Sequence, residues 1–275
     1  MENLELLKEV LSIPTHTYQE HRMISFLEKW LAKNNIPSYT DEYGNIYAVK
    51  KTTLLDDEFF PCVVSHTDTV HAISNIHILE QMLEDSDGVL KESLTSVDED
   101  GKPNGIGGDD KCGVYICLQL LMDLPNVKAA FFVSEETGCK GSLNADPDFF
   151  TDVAYAIQFD APENWMITYT CMGIPLFDMN SEFFTKCDEI LTNRFNHKKK
   201  YLRHPYTDVY SLKKLFDFSC INISCGYYNY HRPNEYVVID DVQNALEVGK
   251  EMIASLGYKK SLFKELKPAY NPYVL

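Results

Sequence analysis

Residues Pro61–Val70, PCVVSHTDTV, open as an apolar run and close on two side chains suited to metal chemistry, His66 and Asp68. The run is too short for a helix, so it predicts a buried strand. Two stretches share its character: Lys128–Glu136, KAAFFVSEE, and Val153–Asp160, VAYAIQFD. Before them lies Lys111–Leu124, KCGVYICLQLLMDL, apolar and long enough to read as a buried helix. Apolar strands that alternate with helices belong to a mostly parallel sheet covered on both faces. The expected fold class is therefore α/β, a single three-layer domain over residues 1–275 with a mixed, mostly parallel sheet between helices.

Working outward, LELLKEVLSIPT and YQEHRMISFLEKWLAKNN carry apolar residues at helical spacing, broken at Ile13-Pro14-Thr15 and stopped at Asn34-Asn35. Asp41–Lys51, DEYGNIYAVKK, reads as a turn followed by a strand, and Asp85–Gly108 reads as a polar loop. The last third offers DVYSLKKLF as a helix, INISCGYY as a strand and DDVQNALEVGKEMIASLGY as a closing helix with Gly257 near its end. No linker rich in Pro, Gly or Ser divides the chain, and no internal repeat is visible.

At 275 residues and 45% hydrophobic, the chain can bury a sizeable core. A formal charge of -16 argues against a nucleic-acid partner, since that affinity rests on Lys and Arg neutralising phosphates. No apolar window has the length of a membrane span, and the opening MENLELLKEV lacks the features of a secretory leader, so a cytoplasmic location without membrane association is expected. The eight cysteines form no C-x-x-C pair and several sit in apolar runs, which suits buried, reduced thiols. Positive charge concentrates in Asn193–Arg203, NRFNHKKKYLR, either as a solvated loop or as a clamp for a substrate carboxylate.

In open α/β sheets ligands bind outside the carboxyl ends of the strands. Polar clusters gather there: His66 and Asp68, Glu135 and Glu136, Asp160, and His231 after CGYYNY, with Asp109 and Asp110 in the glycine-rich GIGGDDKCG before a helix. Imidazoles and carboxylates are the ligands zinc takes when no thiolate is offered, and this inventory suits two zinc ions, with cobalt or manganese as other occupants. Asp68, two residues beyond His66, is placed to accept a hydrogen bond from the ring nitrogen that does not face the metal. Adjacent Glu135 and Glu136 point to different sides, so one can bind metal while the other acts as general base.

The segments DEYGNIYAVK, VVSHTDTV, GIGGDDKCGV, FFVSEETGCKGS, QFDA, PYTDVYSL and YHRPNEYVVIDDV together resemble the metallopeptidases that include peptidase T, the glutamate carboxypeptidases and succinyl-diaminopimelate desuccinylase, with a more distant likeness to single-domain zinc aminopeptidases. The resemblance implies that His66 and Asp160 bind one zinc, that Glu136 and His231 bind the other, and that Asp109 bridges them. It also implies Glu135 as general base, Asp68 as support for His66, and a cis bond between Asp109 and Asp110. Most relatives of peptidase T insert a lid domain of about a hundred residues, the size of a small domain, where this chain has only residues 161–205. That short segment is expected to pack on the core through Trp165, Tyr169, Phe177, Phe183 and Phe184.

The expected activity is hydrolysis of a peptide bond in small peptides, as an aminopeptidase. A carboxypeptidase or N-acyl amide hydrolase, with Arg203 or Arg232 gripping a carboxylate, is the second reading, and a catalytically silent binding or assembly protein the third. His204, Tyr206, Tyr228 and Tyr230 are candidate donors to the oxyanion.

Overall fold

Phe60–His66 forms β3 with every residue buried, because both of its faces are covered by helices and both of its edges by parallel strands. The computed structural model describes residues 2–53, 59–85, 88–195, 199–204 and 207–264. In chain order its elements are α1 (Glu2–Ser12), α2 (His21–Lys33), β1 (Ser38–Thr40), β2 (Ile46–Lys51), β3, β4 (His77–Glu84), β5 (Leu90–Val97), α3 (Gly108–Asp123) and β6 (Asn126–Phe132). A short turn at Glu135–Thr137 leads to α4 (Lys140–Leu143), α5 (Pro147–Phe150), β7 (Val153–Ala161), β8 (Met166–Cys171), β9 (Ile174–Pro175) and α6 (Glu182–Arg194). The chain then runs through β10 (Lys200–His204), α7 (Asp208–Leu215), β11 (Cys220–Ser224), β12 (Tyr227–Tyr228), β13 (Tyr236–Val238) and α8 (Ile239–Leu256).

The main sheet has the order β1-β2-β6-β3-β7-β11-β8-β10, with β9 paired to β8. Its centre, β6-β3-β7-β11, is parallel throughout, and β2 and β8 flank it in antiparallel sense. This is the mixed, mostly parallel α/β sheet that the apolar runs imply. Helix α3 is buried from Gly108 through Leu121 because it lies between the sheet and an outer layer of α1 and α8, which explains why its sequence is apolar on all sides. Helix α8 ends at Gly257, whose φ of 66° lies in the left-handed region. Among the described residues no helix is long and apolar enough to cross a membrane. All eight cysteines are buried free thiols.

One expectation fails. Residues 85–108 are not a polar loop throughout: β5 lies inside that stretch, pairs with β4 along its whole length, and joins β13 and β12 in a small antiparallel sheet. Ser93, Leu94 and Ser96 are its buried positions, against α8 on one side. Two buried serines, one on each face, hide the strand from a search for apolar alternation, since small hydroxyl residues can be buried when bonded to backbone, as Ser93 and Ser96 are.

Residues 161–205 supply β8, β9, α6 and the β10 edge of the main sheet, and α6 packs on α8. Phe177 anchors them, with its ring 5.4 Å from Tyr169 and stacked 5.8 Å from Phe184. Within the basic stretch, Arg194 is paired with Glu251 and Lys199 with Asp188, so these two cations are spent on acids of α8 and α6. Residues 196–198 lie outside the described residues.

Candidate metal centre

The carboxyl ends of the central strands converge on one cluster. His66 is the last residue of β3, and its Nδ1 lies 3.0 Å from the main-chain oxygen of Asp68 and 3.3 Å from Asp68 Oδ1. A proton on Nδ1 is thereby held, and Nε2 is turned inward. Asp68 reaches this place because the chain curls beneath His66 after β3 ends, rather than by strand alternation. Its carboxylate also accepts from Thr17 Oγ1 at 2.8 Å and from the backbone N–H groups of Glu135 at 2.9 Å and Glu136 at 3.3 Å. Burial opposes ionisation of Asp68, but these bonds and His66 outweigh it and hold the carboxyl below its ordinary range.

Nε2 of His66 faces three carboxylates at once: Asp109 Oδ1 at 3.2 Å, Asp160 Oδ1 at 3.6 Å and Glu135 Oε2 at 3.9 Å. The other oxygen of Asp109, Oδ2, lies 3.2 Å from His231 Nε2, which is itself 2.9 Å from Glu136 Oε1. Asp109 thus stands between two groups, His66 with Asp160 and His231 with Glu136. His231 sits in the loop after β12 at φ 61°, with a side chain 40% exposed, so the cluster opens to solvent on its side.

Asp109 is held by its backbone. It opens α3 with non-helical φ and ψ, its N–H donates to Glu235 Oε1 at 3.1 Å, and its peptide bond to Asp110 is cis, as the resemblance implies. Buried Glu235 also accepts from Gly107 N–H at 2.9 Å and pairs with His71 Nε2 at 2.5 Å, so one carboxylate clamps the whole glycine-rich loop. Gly107 has φ 71°, a conformation that a residue with a Cβ adopts only at a cost. Asp110 turns beneath the cluster, where it accepts from His66 N–H at 3.2 Å and Gly113 N–H at 3.1 Å. Lys111 is buried with its ammonium on the carbonyls of Leu11 and Ile106, and burial lowers its pKa to about 8.

The adjacent glutamates diverge. Glu135 directs Oε2 toward His66 and receives the Cys139 thiol on Oε1 at 3.3 Å, whereas Glu136 faces His231. Burial pushes both carboxyls up, Glu135 well above its ordinary value. Asp160 is raised to about 7, chiefly by burial, while its hydrogen bonds to His66 and the attraction of that ring act the other way. His231 is raised to about 10 by its bonds to Asp109 and Glu136. Bonds to Asp109, Asp160 and Asp68 raise His66 well above its ordinary value, although burial works against them.

Several neighbours were not legible as site residues. Gln158 Nε2 donates to Asp160 Oδ2 at 3.1 Å and to Asp208 Oδ2 at 3.3 Å, and Asn222 Oδ1 accepts from the Asp160 N–H at 2.9 Å. Gln158 stands two residues before Asp160 on β7, so the period-two rule would have placed it on the same face. The hydroxyl of buried Tyr227 lies 3.5 Å from Asp160 Oδ1. Among the oxyanion candidates, Tyr228 donates to Asp241 at 2.6 Å and Tyr230 is 43% exposed, with its ring 5.1 Å from that of His231. Tyr206 and the side chain of His204 lie outside the described residues.

The donor set fits divalent cations. Among the described residues, potential ligand atoms of His66, Asp110 and Asp160, and of His66, Asp109 and Glu136, lie within 4.8 Å of one another. One imidazole nitrogen cannot satisfy three carboxylates with a single proton, and buried carboxylates this close repel unless a cation lies among them.

No protein-family profile and no curated protein sequence matches the chain at a significant level. Solved structures do match it in fold. The aminopeptidase PepT from Bacillus cereus ATCC 10987 superposes with a TM-score of 0.73 at 12% identity, over 92% of this chain and 98% of that one. A tripeptidase from Staphylococcus aureus subsp. aureus mu50 gives 0.69 at 13% identity, over 92% and 97%. An aminopeptidase from the archaeon Desulfurococcus kamchatkensis gives 0.64 at 17% identity, over 96% and 99%. At such identities the likeness is one of fold.

Proposed function

We propose that the chain is a two-metal exopeptidase that removes amino-terminal residues from short peptides. The observation that carries this reading is the placement of Asp109, one oxygen toward His66 and the other toward His231, both at 3.2 Å. In this reading His66 and Asp160 would hold one ion, Glu136 and His231 would hold the second, and Asp109, with one oxygen toward each group, would serve both. Zinc suits the set, as do cobalt and manganese, because nitrogen and oxygen ligands accept several metals. Two such ions supply an acidified water and an electrophile for the scissile carbonyl.

The protein's own residues do the rest. Glu135 takes a proton from the attacking water and passes it to the leaving amine, and the burial that raises its pKa favours its holding that proton between the two steps. Asp68, fixed by Thr17 and two backbone donors, orients His66 through Nδ1. Asp110 and Gln158 brace the ligands from beneath and take no part in the reaction. The chain acts as one catalytic unit, with residues 161–205 built onto it where relatives of peptidase T carry a lid.

Two divalent ions would cancel the charge of the ligand carboxylates, so the end preference rests on the cations around the site instead. Two cations of the basic stretch are already paired, which weakens the case for a carboxylate clamp. A carboxypeptidase or N-acyl amide hydrolase using exposed Arg203 or Arg232 remains the second reading. A panel of tripeptides, free, amino-blocked and carboxyl-amidated, incubated with zinc-loaded protein, separates these. Loss of cleavage only on blocking the amino end supports the proposal; loss only on amidation reverses the end preference, and no cleavage of any member by protein carrying its metals favours a silent binding or assembly protein.

A further inference from the structure

Strand β4 is the outermost strand of the small sheet, and no described strand pairs its outer edge. An exposed edge is a hazard that proteins usually blunt with lysine, proline or a bulge. This one, HILEQMLE, has none of these: its register with β5 is unbroken, and Met82 is 52% exposed and Leu79 43%. Beside them at the hairpin end, Val89 and Leu90 are also exposed. A strand with an unbroken open edge and exposed Leu79 and Met82 between its glutamates leaves a place for a partner that covers it.

The hydrogen-bond alternation identifies which groups are free. Asp85 N–H bonds to the Val89 carbonyl across the hairpin, so Leu83, Gln81, Leu79 and His77 also turn their backbone groups toward β5. The intervening residues Ile78, Glu80, Met82 and Glu84 present N–H and C=O to the open edge. At the far end Ser96, which faces Ile78, bonds its carbonyl away from β4 to Asn104, as this phase requires.

A second copy of the same strand is self-complementary about Gln81, the centre that pairs the strand from Ile78 to Glu84 without opposing like charges, whereas centres at Leu79 or Leu83 leave much of the strand unpaired. Two identical strands paired edge to edge in antiparallel sense are related by a two-fold axis normal to the sheet, which preserves the faces. Paired residues must then lie on the same face, so their numbers differ by an even step. Centring the axis on Glu80 sets Glu80 against Glu80, and centring it on Met82 sets Glu80 against Glu84. Both place like charges directly opposite.

Centring it on Gln81 sets Gln81 against Gln81, Leu79 against Leu83 and His77 beside Asp85 of the second copy on one face. On the other face it sets Glu80 against Met82 and Ile78 against Glu84. No like charges are directly opposed, and Glu80, which comes diagonal to acids of the second copy, already carries Lys8 at 2.6 Å. In the same register the free groups of Glu80 and Met82 meet as a hydrogen-bonded pair, as do those of Ile78 and Glu84.

We propose that β4 is the contact strand of a two-fold homodimer, in which two copies pair antiparallel about Gln81 and join the two small sheets into one. Leu79, Gln81 and Leu83 also line a groove of about 520 Å³ that reaches Asn229 and Pro233, on either side of His231 in the same loop. Pairing therefore extends the floor of that groove with Leu83 and Leu79 of the second copy.

The test is a cysteine at the axis. Gln81 forms a non-hydrogen-bonded pair with itself, which brings the two Cα atoms to about 4.5 Å, within disulfide range. All native cysteines are buried, so an introduced surface thiol reports alone. Under oxidised glutathione, Q81C is expected to form a covalent dimer at least about tenfold faster than E80C, whose thiol faces Met82 rather than itself, because thiol pairing needs that Cα approach. Light scattering is expected to find a dimer for the unmodified chain and a shift toward monomer for Q81K, which opposes two lysines at the axis. A monomeric unmodified chain, or Q81C crosslinking no faster than E80C, overturns the proposal and leaves the edge to a different partner.

Discussion

Glu135→Gln and Glu136→Gln are the same chemical change on adjacent residues, yet the geometry demands different outcomes. Glutamine at 135 keeps the side-chain shape, the backbone bond from Glu135 N–H to Asp68, and a carbonyl oxygen for the Cys139 thiol at 3.3 Å. It loses only the ability to take a proton. General-base contributions run to about 100- to 10,000-fold, which corresponds to about 3–5 kcal/mol of barrier. Turnover is therefore expected to fall by that factor while metal content stays near that of the unmodified protein. Glutamine at 136 instead replaces an anion 2.9 Å from His231 Nε2 with a neutral amide. One metal should be lost or weakened, and added zinc should restore part of the activity. The assay is elemental analysis beside the initial rate of tripeptide hydrolysis across a zinc titration, for both variants prepared together. Equal metal loss in the two variants would refute the division of labour, and full turnover by Glu135→Gln would remove that residue as base.

Further outcomes are open to measurement. Purified protein dialysed against zinc should carry about two ions per chain, and chelation should abolish hydrolysis; full activity in metal-free protein would end the two-metal reading. Zinc affinity should rise with pH, because the metal must displace the proton that Asp160 holds up to about 7 and the one that His231 holds up to about 10. Competition with a chromophoric chelator should show about tenfold tightening per pH unit for each proton displaced near neutrality, and a flat profile would contradict it. The same Asp160 shift carries a sign for metal-free protein. A carboxyl with a raised folded pKa stabilises the fold relative to higher pH only while protonated, so its contribution declines as pH rises from the unfolded value through about 7. Finally, a Cβ on Gly141 would lie 2.4 Å from the Val133 carbonyl oxygen, whereas one on Gly138 meets nothing within 4 Å. Thermal melts should find Gly141→Ala destabilised by about 2 kcal/mol or more from overpacking and Gly138→Ala by only about 1–2 kcal/mol from its φ of 99°; the reverse order would show that the loop adapts.

Much of the architecture was legible from residue order alone. The three apolar runs ending in His66, Glu135-Glu136 and Asp160 could only be strands buried on both faces, and their polar ends could only gather at one rim of a parallel sheet. That reasoning needs nothing beyond periodicity and the fixed geometry of strands. It could not see β5, whose buried positions include serines, because burial of a hydroxyl depends on a bond made in three dimensions. Nor could it see that Tyr227, and not its neighbour Tyr228, approaches Asp160, or that Gln158 joins Asp160 to Asp208. The contacts of Gln158 with Asp208 and of Tyr227 with Asp160 join residues 50 and 67 positions apart and depend on how strands settle against one another. The split of Asp109 between His66 and His231 is of the same kind: sequence supplies the chemistry of each side chain, and only the packed sheet and its loops bring two imidazoles from distant segments to opposite oxygens of one carboxylate.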